Sequence, residues 1–188
     1  MKTLSLLVLL FLSFSLAANP KTKILNGFHM SLYENSFGNI SEFEIFTKLE
    51  NKEVYMGLSC LDMSPFPTLQ LILKDKEILA TLSKNYIPID YEIFNENKAI
   101  KNLVSLEASL KVSYKDDKFS NRIRLQAHTG KIKDMSEIQF LYKRLLDHLK
   151  EGTKIKFYLQ KDELEDVQYT FSLQGLKSLL VPHETLCR

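Results

Sequence analysis

The sequence predicts a mainly β protein: an antiparallel β-sandwich or partly open barrel of eight or nine strands, with one amphipathic helix over residues 137–150. Three observations predict it. Apolar residues alternate with a period of two through most of the chain, as strands with one buried face require. Polar clusters separate these runs at hairpin spacing. A single stretch, between Ser136 and Gly152, shows helical periodicity instead.

Residues 1–17 read as a secretory signal peptide. Lys2 gives a basic start, Leu4 to Leu16 an apolar run too short for a membrane span, and Ser15-Leu16-Ala17 the small residues of a cleavage site. Ala18 at the +1 position is not the cysteine of a bacterial lipoprotein. A periplasmic or secreted protein is expected, with no stable membrane insertion after signal cleavage. Residues 18–188 then make one β-rich domain, in which 18–40, with Asn19-Pro20, Gly27 and Gly38, looks loosely organised.

The strands follow in order. Phe43, Ile45, Thr47 and Leu49 share one face, and after a turn at Asn51-Lys52 so do Val54, Met56, Leu58 and Cys60. Leu69, Leu71 and Leu73 follow the Pro65-Phe66-Pro67 loop, and Ile78 to Leu82 offers a short further strand. Ile87, Ile89, Tyr91 and Ile93 alternate with Pro88, Asp90 and Glu92. Pro88 lacks an amide donor, so this strand should lie at an edge or begin late. The cleanest run is Val104, Leu106, Ala108, Leu110, Val112 and Tyr114, which turns at 115–118 into Ile123, Leu125 and Ala127. Ile155, Phe157 and Leu159 lead through 161–166 into Val167, Tyr169, Phe171 and Leu173.

The helix begins with Ser136-Glu137-Ile138-Gln139, a capping-box sequence, with Met135 and Phe140 at the positions of a hydrophobic staple. Ile138, Leu141, Leu145 and Leu149 recur at helical spacing, and Gly152 supplies the stop. A shorter helix is expected from Leu176 to Val181, ended by Pro182.

Composition excludes several functions. The chain has 25 Lys and Arg against 23 Asp and Glu, and losing Lys2 brings it closer to neutral. That balance lacks the basic footprint of a nucleic-acid binder or a polybasic membrane surface. The 12 Phe and 8 Tyr, with no Trp, fall largely on the inward rows, so packing accounts for them better than a sugar platform. Cys60 and Cys187, in an oxidising compartment, are expected to form a structural disulfide closing a long loop. A reactive or metal-binding thiol is the alternative, but neither cysteine sits in a C-x-x-C or near a histidine in sequence.

Residues for catalysis are sparse. His29, His128, His148 and His183 fit no zinc spacing, and His148 reads as a helix-face residue near a helix C-terminus. His128, before Thr129-Gly130, would reach a cleft, but no signature supplies a nucleophile or an orienting group. Asp90 lies out of phase with its flanking isoleucines, so it should face outward or find a partner. His128 and Asp90 are therefore the polar candidates. Asp162, Glu163, Glu165 and Asp166, like Asp116-Asp117, lack calcium-loop spacing and read as solvated turns. Asn39-Ile40-Ser41 fits a glycosylation acceptor, relevant only in a eukaryotic secretory pathway. Phosphate loops and hydrolase or zinc-protease motifs are absent, so no catalytic residue, cofactor or metal is assigned.

Phe171-Ser172-Leu173-Gln174-Gly175-Leu176, followed by Leu179-Leu180 and Cys187, resembles the ending of VasI-type periplasmic proteins associated with type VI secretion. A mid-chain strand with an aspartate, here Tyr86 to Phe94 with Asp90, and an early strand ending in Cys60 extend the resemblance. The chain departs from it in having no tryptophan and no arginine before Asp90. The resemblance implies a disulfide-tied periplasmic β-fold.

These features favour a non-catalytic extracytoplasmic protein that binds another extracytoplasmic protein, as a secretion or envelope accessory. An exposed apolar patch or a long unpaired edge strand would support that reading. A carrier of a small apolar ligand is the alternative, recognisable by an apolar cavity beneath the helix. A secreted hydrolase or effector using His128 is the third.

Overall fold

The computed structural model describes residues 20–64, 66–73, 86–96, 98–100, 106–115, 118–127, 134–159 and 167–187; for 86–90, 98–100, 106–115, 118–127 and 159 it describes the backbone. Among the described residues eleven strands form one antiparallel sheet: β1 (Lys21–Leu25), β2 (Phe28–Glu34), β3 (Ile40–Lys48), β4 (Val54–Leu61), β5 (Thr68–Leu73), β6 (Tyr86–Asn95), β7 (Lys98–Ile100), β8 (Leu106–Lys115), β9 (Lys118–Ala127), β10 (Lys154–Leu159) and β11 (Val167–Ser172). The order across the sheet is β1-β2-β3-β4-β5-β9-β8-β6-β10-β11, with β7 paired to β6. The predicted mainly β, antiparallel class holds. The strand number exceeds the eight or nine expected.

Two of the added strands occupy the stretch expected to be loosely organised. Leu25 pairs with Phe28 across the two-residue turn Asn26-Gly27, whose φ values of 48° and 80° give the left-handed pair a type I′ hairpin needs. Asn-Gly is the strongest short-range hairpin signal, and it stands in the sequence. The expected strand at Ile78 to Leu82, the turn at 161–166, Val104 and the signal peptide lie outside the described residues.

Pro88 tests the edge rule. β6 is an interior strand, but its Tyr86–Ile89 stretch pairs with β8, whereas β10 pairs from Ile89 onward. Among the described residues Pro88 is therefore flanked on one side only, opposite Glu107. Its missing N–H costs no described ladder bond on the β10 side.

The inward rows make one core. Phe28, Phe43, Ile45, Leu58, Leu71, Ile155, Phe157 and Tyr169 are almost wholly buried. Over them lie α1 (Met135–Glu151), α2 (Leu176–Leu180) and a 3-10 helix, η1 (Val181–Cys187). α1 buries Tyr142, Leu145, Leu146 and Leu149, close to the predicted stripe, while Ile138 and Leu141 are only partly covered. The second helix ends at Leu180 with Val181 as its C-cap, just ahead of Pro182 as expected, and the chain continues as η1.

The helix start differs from the capping box expected. Asp134 is the N-cap, its carboxylate accepting from the Ser136 N–H at 2.9 Å, so Ser136 lies inside the helix. Met135 and Phe140 are 56% and 58% exposed rather than stapled. Gly152 ends α1 in extended backbone, donating its N–H to the His148 carbonyl at 2.8 Å. Space makes it glycine: a Cβ there would stand 2.4 Å from the Ile93 Cγ2.

Cys60 and Cys187 are bonded, with Cα atoms 4.9 Å apart across a sequence separation of 127. The disulfide ties η1 to β4, beside Phe43 of the neighbouring strand.

Candidate docking groove at the open edge of the sheet

Among the described residues the strand path ends at β1 and β11, so the sheet curls without closing. β11 forms because Val167, Tyr169 and Phe171 alternate with polar residues; Tyr169 and Phe171 enter the core, and Gln168, Thr170 and Ser172 are exposed. On its paired side the ladder runs from Leu159↔Val167 to Lys154↔Ser172.

The hydrogen-bond phase of β11 follows from one contact. The Leu173 N–H donates to the Thr153 carbonyl at 2.9 Å, which makes 173 and 153 a bonded pair continuing the β10–β11 register. Bonded pairs alternate along an antiparallel ladder, so 171, 169 and 167 also turn their amides to β10. Ser172, Thr170 and Gln168 direct their N–H and C=O groups the other way, to the edge that no described strand pairs.

That edge opens on a groove of about 400 Å³. One wall is Thr170, Phe171 and Ser172 of β11 with Lys154 of β10. The opposite wall is the β1–β2 turn, Asn26 and Gly27, together with residues 47–50 at the end of β3. Two contacts brace the hairpin ends against β11. The Lys52 ammonium lies 5.6 Å from the centre of the Tyr169 ring. Gly175, at φ +94°, lets the chain after β11 pack on the β1–β2 turn, where a Cβ would come within 3.1 Å of Asn26 Nδ2. Lys48, at the rim, is ion-paired with Glu53, which also accepts from the Tyr55 hydroxyl at 2.9 Å.

The outer face beside the groove is polar. Lys154, Lys156 and Tyr158 alternate with the fully buried Ile155 and Phe157 on β10. Tyr158 donates to Glu92 of β6, and the Lys156 ammonium sits 4.8 Å from the Tyr158 ring centre. Burial, and then the Glu92 hydrogen bond, push the Tyr158 hydroxyl up to about 12. Asp90, expected to face outward or find a partner, has its backbone directly opposite Tyr158, in the phase opposite to buried Tyr91 and Ile93.

Other residues singled out in the sequence are scattered. His128, Asp116-Asp117 and the acidic turn at 161–166 lie outside the described residues. His29 is exposed on β2, and His148 is part-buried in the last turn of α1. Asn39 is exposed in the β2–β3 turn. His183, in η1, packs 6.1 Å from the Phe43 ring, with its Nε2 buried and without a hydrogen-bond partner among the described residues. Burial, and then Lys23, hold its pKa below the usual histidine value. No group of three His, Cys, Asp or Glu suited to a metal occurs among the described residues.

The arrangement offers what strand addition uses: unpaired backbone donors and acceptors, a slot beside them, and flanking charge. Sequence reasoning missed it because β11 alternates like every other strand, and nothing local marks it as the last. Comparison with protein-family models, curated proteins and solved structures finds no match to this chain.

Proposed function

We propose that this chain is a non-catalytic extracytoplasmic protein-binding module, acting as a secretion or envelope accessory. The observation that carries the reading is the edge of β11, unpaired among the described residues and opening on a groove. Sheet edges are usually covered, shortened or charged because they template pairing with another chain, so an accessible edge beside a slot is suited to a partner. The Cys60–Cys187 bond is compatible with an oxidising compartment. Among the described residues no helix is long and apolar enough to cross a membrane. The signal-peptide pattern of residues 1–17 and the resemblance to VasI-type proteins favour the periplasm.

The alternative of a carrier for a small apolar ligand receives less support. Tyr142, Leu145, Leu146 and Leu149 of α1 are packed into the core beneath the helix, where the carrier reading would need a cavity.

Cross-linked affinity capture of the tagged, signal-processed chain from its native host tests the proposal. Recovery of envelope or secretion proteins with cross-links near β11 is the expected outcome. Recovery of the chain alone would overturn it.

A further inference from the structure

We infer that the groove beside β11 takes an extended segment of a partner protein in which acidic and apolar residues alternate, added to the sheet as a twelfth strand. The inference rests on the protein-binding reading and names the chemistry of its occupant.

Backbone phase supplies the first argument. Gln168, Thr170 and Ser172 turn their amide and carbonyl groups away from β10, a donor–acceptor repeat that an added strand would match. Thr170 and Ser172 line the groove itself, so the unpaired groups and the vacant space coincide.

Side-chain alternation sets the occupant's pattern. Inward positions of an added strand would meet Phe171, Leu49 and Thr47, which favours apolar residues there. Outward positions would continue the rows Lys156–Thr170 and Lys154–Ser172. Successive strands lie about 4.8 Å apart, so an outward carboxylate would be two strands, about 10 Å at the backbone, from each lysine. Thr170 and Ser172 between them are small enough for the long lysine side chains to reach across.

Charge favours an acid over a base at those outward positions. Lys154, Lys156 and Lys52 flank the edge. Of the nearby carboxylates, Glu53 holds Lys48, whereas Glu92, opposite Lys156 on β6, and Glu50 on the rim oppose the three lysines, which still outnumber them. An acidic strand would complement this surface, and a basic one would be repelled.

The test uses the full signal-processed chain, a short synthetic peptide of alternating Glu and Val, and the same peptide with Lys in place of Glu. Amide exchange and fluorescence anisotropy are read together. The Glu peptide should slow exchange at Gln168, Thr170 and Ser172, and the Lys peptide should not. Reversing both charges, Lys154→Glu with Lys156→Glu, should weaken the Glu peptide about tenfold, the scale of two exposed ion pairs lost. Thr170→Pro, which removes an amide facing the open edge, should abolish binding, and the charge reversal keeps the test independent of how that variant folds.

Binding that leaves those three amides unprotected, or that is unchanged by the charge reversal, overturns the inference. So does a captured partner whose cross-links avoid β11, although the protein-binding reading would survive that result. The broader reading fails by a different observation, recovery of the chain alone from its host.

Discussion

Gly57 stands on β4 where the outer face has no room for a side chain. Its register neighbours are Phe46 and Gln70, and a Cβ would lie 2.4 Å from Phe46 Cε1 and 3.0 Å from Gln70 Cγ. Gly57→Ala should therefore cost about 1–3 kcal/mol in urea unfolding, the usual price of overpacking. In a Phe46→Ala background the same change should cost much less, because the ring it strikes is gone. His183 carries a second prediction at this scale. Its folded-state pKa lies below the unfolded value, because burial and then Lys23 disfavour the charged ring. The unfolded chain binds the proton first as pH falls, so stability should drop from about pH 6.5 downward until the folded ring also titrates. The urea midpoint should be lower near pH 5.5 than near pH 7.5, and His183→Asn should flatten that difference. Cys60 was legible from its place in the row Val54, Met56, Leu58. The Phe46–Gly57 contact was not, since it joins two strands whose register no local pattern states.

At the level of elements, alternation located eight of the described strands but missed β1, β2 and β7, and its other errors gather at boundaries and turns. The start of α1 shows why. Ser136 and Gln139 have capping-box spacing, but so do Asp134 and Glu137 two positions earlier, and Asp134 holds the cap. Spacing alone does not choose between overlapping boxes; which residues the helix must bury does. Seating Tyr142, Leu145, Leu146 and Leu149 leaves Met135 and Phe140 outside. Leu145→Ala should accordingly cost about 2–5 kcal/mol in chemical denaturation, the range for truncating a buried leucine. Phe140→Ala should cost well under that, because its ring is largely in solvent and meets the Arg144 guanidinium at 5.6 Å. Equal losses at the two positions would mean that α1 seats by its other face.

The whole molecule depends on pairings that no single segment states. Hairpins β1–β2, β3–β4, β8–β9 and β10–β11 join neighbours in sequence, but β5–β9 and β6–β10 join distant strands and turn separate hairpins into one sheet. Such contacts depend on which inward rows fit together in three dimensions, so the groove beside β11 became visible only with the complete strand order. The disulfide acts at the same scale. It joins β4, in the first half of the sheet, to η1 at the far end of the sequence, enclosing most of the domain in one loop. On the chain-entropy account, closing a loop of that length stabilises by about 4–5 kcal/mol, mainly by restricting the unfolded chain. Cys60→Ser and Cys187→Ser should each lose a similar amount, since each removes the same bond, and the double variant should lose little more. Reducing agent should lower the thermal midpoint of the wild type toward that of the variants and leave the variants unmoved. The β10–β11 ladder is held by its own register and does not include either cysteine. In the reduced protein, under conditions where it remains folded, the peptide should therefore still protect Thr170 and Ser172, which separates the staple's role in stability from the edge's role in binding.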